Sequence, residues 1–392
     1  MTMIVEPARV VTGGVDTHVD VHVAAVLDDI GALLGTESFA ATRAGEDKLA
    51  GWLASFGSLV RVGVEGTGSY GAGLARLLAA AGVDVVEVDR PNRQLRRRQG
   101  KTDTLDAIEA ARAALSGRAV GRATSRDGNV EAIRALVVAK RSARSTKTKS
   151  LNQIRHLGYT APEPLRERLR GLTAARVAVE AASLRPRPGT DPVTFATKTS
   201  LRILGRRVLA IDAELVELDA LLTVLVTDTA PALLERHGIG VHTAALLLVS
   251  AGDNPQRLRS EASWAHLCGV SPIQASSGKI TRHRLNRSGD RQANHALWRI
   301  ALTRMSNDPR TRTYVERRTA EGKTKLEIVR ILKRYIAREV YPLLPRTVGS
   351  DSRCVGPMLR APALVALRRL ADLPSLASIH RLVRRGVGRV SA

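Results

Sequence analysis

Cysteine is nearly absent from this chain of 392 residues, with Cys268 and Cys354 the only two. A pair of thiols so far apart in sequence builds neither a disulfide framework nor a Cys-rich zinc module. Aromatic side chains are equally scarce at 3%, which argues against a surface that binds single strands by stacking bases on rings. Long hydrophobic runs are missing too. Uninterrupted apolar stretches such as ALLLV (245–249) are far too short to span a bilayer. The opening MTMIVEPARV lacks a basic start followed by a long apolar stretch, so no signal peptide is expected. These absences lead to the expectation of a soluble, reducing, cytoplasmic setting without a membrane partner. Acidic residues are outnumbered: 37 Asp and Glu face 61 Lys and Arg, for a formal net charge of +24. An excess of that size points to nucleic acid, because cationic side chains that neutralise phosphates release counterions. A membrane surface is the competing partner, but no amphipathic anchor with an aromatic face stands out.

The length leaves room for two or three domains and a sizeable core. Residues 10–115 read as a mixed α/β unit. Strands are expected over 10–16, 21–28 and, more weakly, 31–39, then a helix over 46–56, a strand over 60–65, a helix over 70–82, a strand over 83–89 and a helix over 102–115. Turn signals at Gly13-Gly14, Gly66, Gly82 and Pro91 punctuate the series. The order βββαβαβα is that of a ribonuclease-H-like fold. Residues 126–157 look helical and basic, with eight Lys or Arg against two acids from Arg126 to Arg155. The segment offers Lys140, Arg141, Arg144 and Lys147 as candidate nucleic-acid contacts. Further on, Leu201, Leu204, Val208, Ile211, Leu215, Leu218, Leu222 and Leu225 alternate spacings of three and four, an a/d seam nearly four heptads long. It suits an intermolecular coiled coil, a long helix inside its own domain, or an antiparallel pairing with 128–157. The expected division is therefore an α/β domain over 1–125, a basic helical or coiled-coil arm over 126–230, a mostly helical domain over 231–345, and a basic tail over 346–392.

Within this cationic chain, four acids occupy informative places. Asp16 closes the apolar segment VVTGGVD and Glu65 closes VRVGVE. Asp103 and Asp106 open KTDTLDAIEAARAAL, three residues apart and therefore on one helix face. Carboxylate oxygens suit hard cations such as Mg²⁺ or Mn²⁺, and such a cation beside a phosphodiester is a common apparatus for cutting nucleic acid. The plain alternative for Asp103 and Asp106 is that acids in a first helical turn complement the macrodipole and cap free N–H groups. Against it stands the preceding basic run, in which Arg96, Arg97, Arg98 and Lys101 could grip the same phosphates. Asp20, Asp28 and Asp29 read as solvated turn residues. Glu65 continues into the glycine-rich VEGTGSYG, but no Lys follows at the Walker spacing, which excludes a nucleoside-triphosphate loop.

The second informative region begins at LLERHGIGVHTAALLLVSAG (233–252). Its Gly238-Ile239-Gly240 turn entering a helix resembles the hairpin of a helix-hairpin-helix motif, where Gly238 and Gly240 expose backbone N–H groups to a phosphate. A tight helix–helix turn without a ligand is the alternative. Then comes Ser276-Ser277-Gly278 with Lys279, Arg282, His283, Arg284 and Arg287 behind it. Serine in a glycine-containing loop is ordinarily turn chemistry and needs a base or metal to act as a nucleophile. Basic side chains beside it could hold a phosphate and stabilise developing charge.

Taken in order, GVDTHVDVHVAAVLD, VGVEGTGSYGAGLARLL and RQGKTDTLDAIEAAR, followed by GIGVHTAALLL, LCGVSPIQASSGK and RLNRSGDRQANHALWRIAL, resemble the D-E-D-D insertion-sequence transposases of family 110, the bridge-RNA-guided recombinases. The resemblance covers about residues 10–345. It implies an α/β plus all-α architecture: a Ruv-C-like metal-binding domain, a helical coiled-coil arm and a mostly helical C-terminal transposase domain. It also implies that Asp16, Glu65, Asp103 and Asp106 hold the metal ions and that Ser277 is the nucleophile, Ser276 being the neighbouring ambiguity. Double-stranded DNA, a structured noncoding guide RNA and a homo-oligomer, dimer or tetramer, are the implied partners. GVSP stands where Gly-Leu-x-Pro is commoner, Gly289-Asp290 is tolerable, and the tail beyond 345 is longer than the pattern needs. Two other readings use the same residues. A metal-dependent junction-resolving nuclease would use water and leave Ser277 as loop chemistry. A non-catalytic nucleic-acid scaffold would keep the charge and the heptads without needing the carboxylates.

Overall fold

A computed structural model of the protein describes residues 9–88, 102–119, 121–122, 128–252, 258–277, 283–284 and 286–345. Two compact units result, one formed by residues up to Asp127 together with Gly252–Arg259, the other by Gly128–Ala251 and the residues from Ser260 onward.

The first unit is a six-stranded mixed sheet. Its strands are β1 (Val10–Thr17), β2 (Val21–Leu27), β3 (Leu33–Ala40), β4 (Ser58–Glu65), β5 (Asp84–Val88) and the short β6 (Gly121–Arg122), in spatial order β3-β2-β1-β4-β5-β6. β1 pairs antiparallel with β2 but parallel with β4, and β4 is parallel to β5. Among the described residues its helices are α1 (Arg43–Ser55), α2 (Ala72–Ala80) and α3 (Asp103–Leu115). Because side chains alternate along a strand, each face has its own set of residues. Val11, Val15, Ala24, Val26, Val62 and Val64 join Leu49 and Leu53 of α1 and Leu74 and Leu78 of α2 in one buried core. Val23 and Ala25 of the opposite face meet Ala107 and Ile108 of α3. Burial on both faces is why β1 and β2 read as nearly continuous apolar runs.

α3 lies unusually close to the sheet. A Cβ on Gly14 would sit 2.1 Å from the Ala111 nitrogen and 2.3 Å from the Ala107 oxygen, and one on Gly63 would sit 2.4 Å from the Ala110 oxygen. Glycine in the strands and alanine in the helix together permit this approach. The expected element order is thereby met, and the mixed sheet is compatible with a ribonuclease-H-like domain. β6 is an addition, and the helix expected from residue 70 begins at Ala72, after the turn at Gly66–Gly71.

The second unit is helical. Its long elements are α4 (Asn129–Tyr159) and α7 (Pro192–Thr229), with α5 (Glu163–Leu169) and α6 (Ala174–Ser183) between them. There follow α8 (Pro231–Leu234), α9 (Val241–Ala251), α10 (Glu261–Leu267), the β7/β8 pair (Ile273–Gln274 with His283–Arg284), α11 (Arg291–Asn307), α12 (Pro309–Ala320) and α13 (Lys325–Val340). α7 runs antiparallel along α4, as three cross-links show: Asn129 to Asp228, Lys140 to Asp219 and Lys147 to Asp212. The heptad positions Leu201, Val208, Ile211, Leu222 and Leu225 are buried, and Leu215 and Leu218 are half-buried. Leu201 and Val208 share a core with Ile154, Leu165, Leu169, Val177 and Ala181. The seam expected from the periodicity thus packs against helices of the same chain. The 346–392 tail lies outside the described residues. No helix among the described residues is long and apolar enough to cross a membrane.

Candidate active site

Strand alternation puts Asp16 on the same face as Gly14, and Glu65 on the same face as Gly63, which is the face that α3 covers. The two acids end neighbouring parallel strands, one residue beyond the Val15–Val64 pairing, and the Thr17 hydroxyl donates to the Glu65 carbonyl at 2.7 Å. The close seat of α3 brings its first turn to these strand ends. Thr102 caps that helix, its hydroxyl accepting from the Leu105 amide at 3.3 Å. The cap position is therefore occupied, and neither Asp103 nor Asp106 is needed for it.

Asp16 and Asp106 are both buried, while Asp103 is exposed. Between Asp16 and Asp103 stands His18, whose Nε2 lies 3.1 Å from Asp16 Oδ2 and 3.4 Å from Asp103 Oδ1. Ligand atoms from Asp16, His18 and Asp103 all fall within 4.8 Å of one another. Burial raises the Asp16 carboxyl above its ordinary range, His18 opposes that shift, and the charges of Asp106 and Asp103 add to it. A buried carboxyl crowded by two like charges is a group that a cation would relieve. The donor set, carboxylate oxygens with one imidazole, suits a divalent ion. These residues fit such an ion. Glu65 is half-buried on the adjacent strand end, outside the 4.8 Å group.

Sequence reasoning passed over His18. Its signal was the D-x-H spacing: two residues after Asp16 on a strand, a side chain returns to the same face.

In the second unit, Gly238 takes a φ of +79° in the turn that enters α9, and Ile239 is buried beneath it. Ser276 and Ser277 are exposed just after β7. Arg284 and Arg287 are exposed, as are Arg141 and Arg144 on α4. Lys140, by contrast, is buried with its ammonium bonded to Asp219, and Lys147 is bonded to Asp212. Those two cations hold α4 to α7. Arg96, Arg97, Arg98, Lys101, Lys279 and Arg282 lie outside the described residues.

Comparison with known proteins places these features. A D-E-D-D family model of IS110 type, described as "Transposase", matches residues 13–157, the stretch that contains all four acids. A second, the "Transposase IS116/IS110/IS902 family", matches residues 230–316, which include the glycine turn and both serines. An uncharacterized 43.6 kDa protein of insertion element IS110 from Streptomyces coelicolor is 32% identical over 170 residues, 42% of this chain and 40% of that protein. An uncharacterized 42 kDa protein of insertion element IS900 from Mycobacterium paratuberculosis is 28% identical over 165 residues, 41% of each chain. The chain thus matches about two fifths of the length of these curated relatives. With two models of one family matching in order along most of its described length, the chain belongs to the IS110-type family of insertion-element transposases.

Proposed function

We propose that this protein is a DNA transposase and site-specific recombinase that moves an insertion sequence, cutting and rejoining DNA through a phosphoserine intermediate with metal assistance. The observation that carries the reading is the convergence of Asp16, His18 and Asp103, with Asp106 beside them, at the strand ends of a sheet inside the family-matched segment. Asp16, Glu65, Asp103 and Asp106 would hold the divalent ion, Mg²⁺ or Mn²⁺, with His18 tying Asp16 to Asp103. Bound there, the ion supplies Lewis-acid stabilisation of a phosphodiester and its leaving oxygen. The Ser277 hydroxyl is the nucleophile. Its Oγ–P bond forms as one P–O bond to a sugar breaks, the serine proton leaves and the departing sugar oxygen ends as a hydroxyl, so that the number of phosphodiester bonds is conserved for rejoining. Exposed cations, Arg141, Arg144, Arg284 and Arg287 among them, supply affinity for the backbone. Sequence choice lies in an element-encoded noncoding RNA that pairs with donor and target DNA, and the protein works as a homo-oligomer.

The test is a denaturing gel of labelled element-end DNA incubated with the protein, the RNA and Mg²⁺, followed by peptide mapping. A covalent adduct that survives denaturation and disappears in Ser277→Ala is expected. Free DNA ends with no adduct, from a protein shown to be cutting, would instead identify a nuclease that uses water. An adduct mapped to Ser276 would correct the register alone.

A further inference from the structure

Arg144 of α4 and Arg299 of α11 line one cavity of about 630 Å³, together with His242, His295 and the Gly238–Thr243 turn into α9. Nearby arginines of this unit are matched with acids: Arg304 with Glu339, and Arg334 with Glu261. Among the described residues, neither Arg144 nor Arg299 has a carboxylate partner, although both are exposed. Asp219, whose charge acts on His242, is bonded to Lys140. The cavity is therefore positive on balance. His242 registers this: burial first, then the charges of Lys140 and Arg144, push its imidazole down to about 4, so it stays neutral, and its buried Nδ1 has no hydrogen-bond partner.

The floor of the cavity adds donors. The first-turn amides of α9, those of Val241, His242 and Thr243, have no helical carbonyl one turn earlier to receive them. Thr243 contributes its hydroxyl, already bonded to Gly240. Ile239 and Leu246 supply apolar wall between the cationic groups. A guest that is anionic at one point, with carbon-rich flanks on either side, meets both kinds of lining. A sugar–phosphate backbone has that chemistry.

We infer that this cavity is a subsite for one backbone phosphate of duplex DNA, clamped between Arg144 of the arm and Arg299 of the C-terminal helices. The site couples elements far apart in sequence, so a phosphate held there fixes the register of DNA along the second unit. The inference rests on the proposed action on DNA and extends it to residues outside the acid cluster and the serine loop.

The experiment measures duplex binding by the full chain in EDTA, where the metal cluster plays no part, over a series of salt concentrations. Wild type is compared with Arg144→Gln, Arg299→Gln and the double variant, with Arg299→Lys as the charge-conserving control. Each neutralised phosphate contributes about 0.9 to the log–log salt slope. Losing one should flatten the slope of the double variant by about that amount. Between 50 and 200 mM salt, wild type should then lose about threefold more affinity than the double variant does. Arg299→Lys should keep most of the wild-type slope, and melting temperatures should be unchanged, because both arginines are exposed. An unchanged slope and affinity in the double variant would overturn the inference while leaving the proposed chemistry intact. A loss confined to duplex RNA would overturn the assignment to DNA. A wild-type chain that binds no duplex DNA would overturn the proposed function and this inference with it.

Discussion

Replacing Gly14 by alanine tests the packing that assembles the acid cluster. The new methyl would lie 2.1 Å from the Ala111 nitrogen, 2.3 Å from the Ala107 oxygen and 2.7 Å from the Ala111 Cα. Non-bonded carbon contacts are optimal at about 3.5–4.0 Å, so α3 has to retreat by about 1 Å or more. The obstacles are backbone atoms of a helix, which cannot swing aside as a side-chain tip can. Overpacking of this kind costs about 1–3 kcal/mol, and a backbone clash belongs at the upper end. The retreat also carries Asp103 and Asp106 away from Asp16, and a displacement of about 1 Å in a catalytic group can cost about 100-fold in rate. The neighbouring Gly13→Ala is the control. Its methyl points to the opposite face and meets side-chain atoms, the Leu53 Cδ2 at 3.1 Å, the Val62 Cγ2 at 3.2 Å and the Leu53 Cδ1 at 3.3 Å, which can yield by tenths of an ångström. Thermal melting and Mg²⁺-dependent strand cleavage should therefore separate the pair, with Gly14→Ala less stable by about 2 kcal/mol and about 100-fold slower. If the two variants melt and cleave alike, α3 does not position the acids by close contact with β1.

Two further outcomes probe the second unit. The His242 imidazole is held down to about 4 in the folded chain against an ordinary 6.5, so between those values the unfolded chain binds more protons and acidification removes stability. His242→Gln deletes that proton site while Lys140, Arg144, His295 and Asp219 still face the position. The melting difference between variant and wild type should therefore move in favour of the variant from pH 7.5 to pH 4.5, and a constant difference would contradict the burial of the ring. On α7, Leu222→Ala removes a side chain with 0% exposure and should cost about 2–5 kcal/mol, whereas Ile203→Ala, at 52% exposure, should cost about 0.5 kcal/mol or less. Equal losses in denaturant titrations would mean that the heptad seam is not the packed face.

The α/β unit was legible because β1 and β2 are buried on both faces and because β1 and β4 run into chemically conspicuous residues. Val10–Thr17 and Ser58–Glu65 carry apolar runs that stop at Asp16 and Glu65, and Gly and Thr mark the turns and caps around them. The two-residue β6 was not legible, since its pairing with β5 depends on tertiary position and not on any pattern of its own. The heptads showed an apolar seam on α7 but not what fills it. That is decided by α4 and α6, and by the Lys140–Asp219 and Lys147–Asp212 pairs, which link residues 79 and 65 positions apart. The same pairs explain why two lysines in a basic helix are occupied within the fold while Arg144 faces a cavity. His18 escaped notice because a lone histidine near a strand end has no meaning until the first turn of α3 supplies Asp103 opposite it.

The most direct test of the central claim is strand cleavage by Asp16→Ala, measured with DNA binding in the same samples of element-end duplex, noncoding RNA and Mg²⁺. Asp16 is the buried acid on which His18, Asp103 and Asp106 all act, whereas in the proposed function the affinity is assigned to the exposed arginines. The account predicts that cleavage is abolished while DNA affinity stays at the wild-type level. Cleavage at the wild-type rate by Asp16→Ala would contradict it.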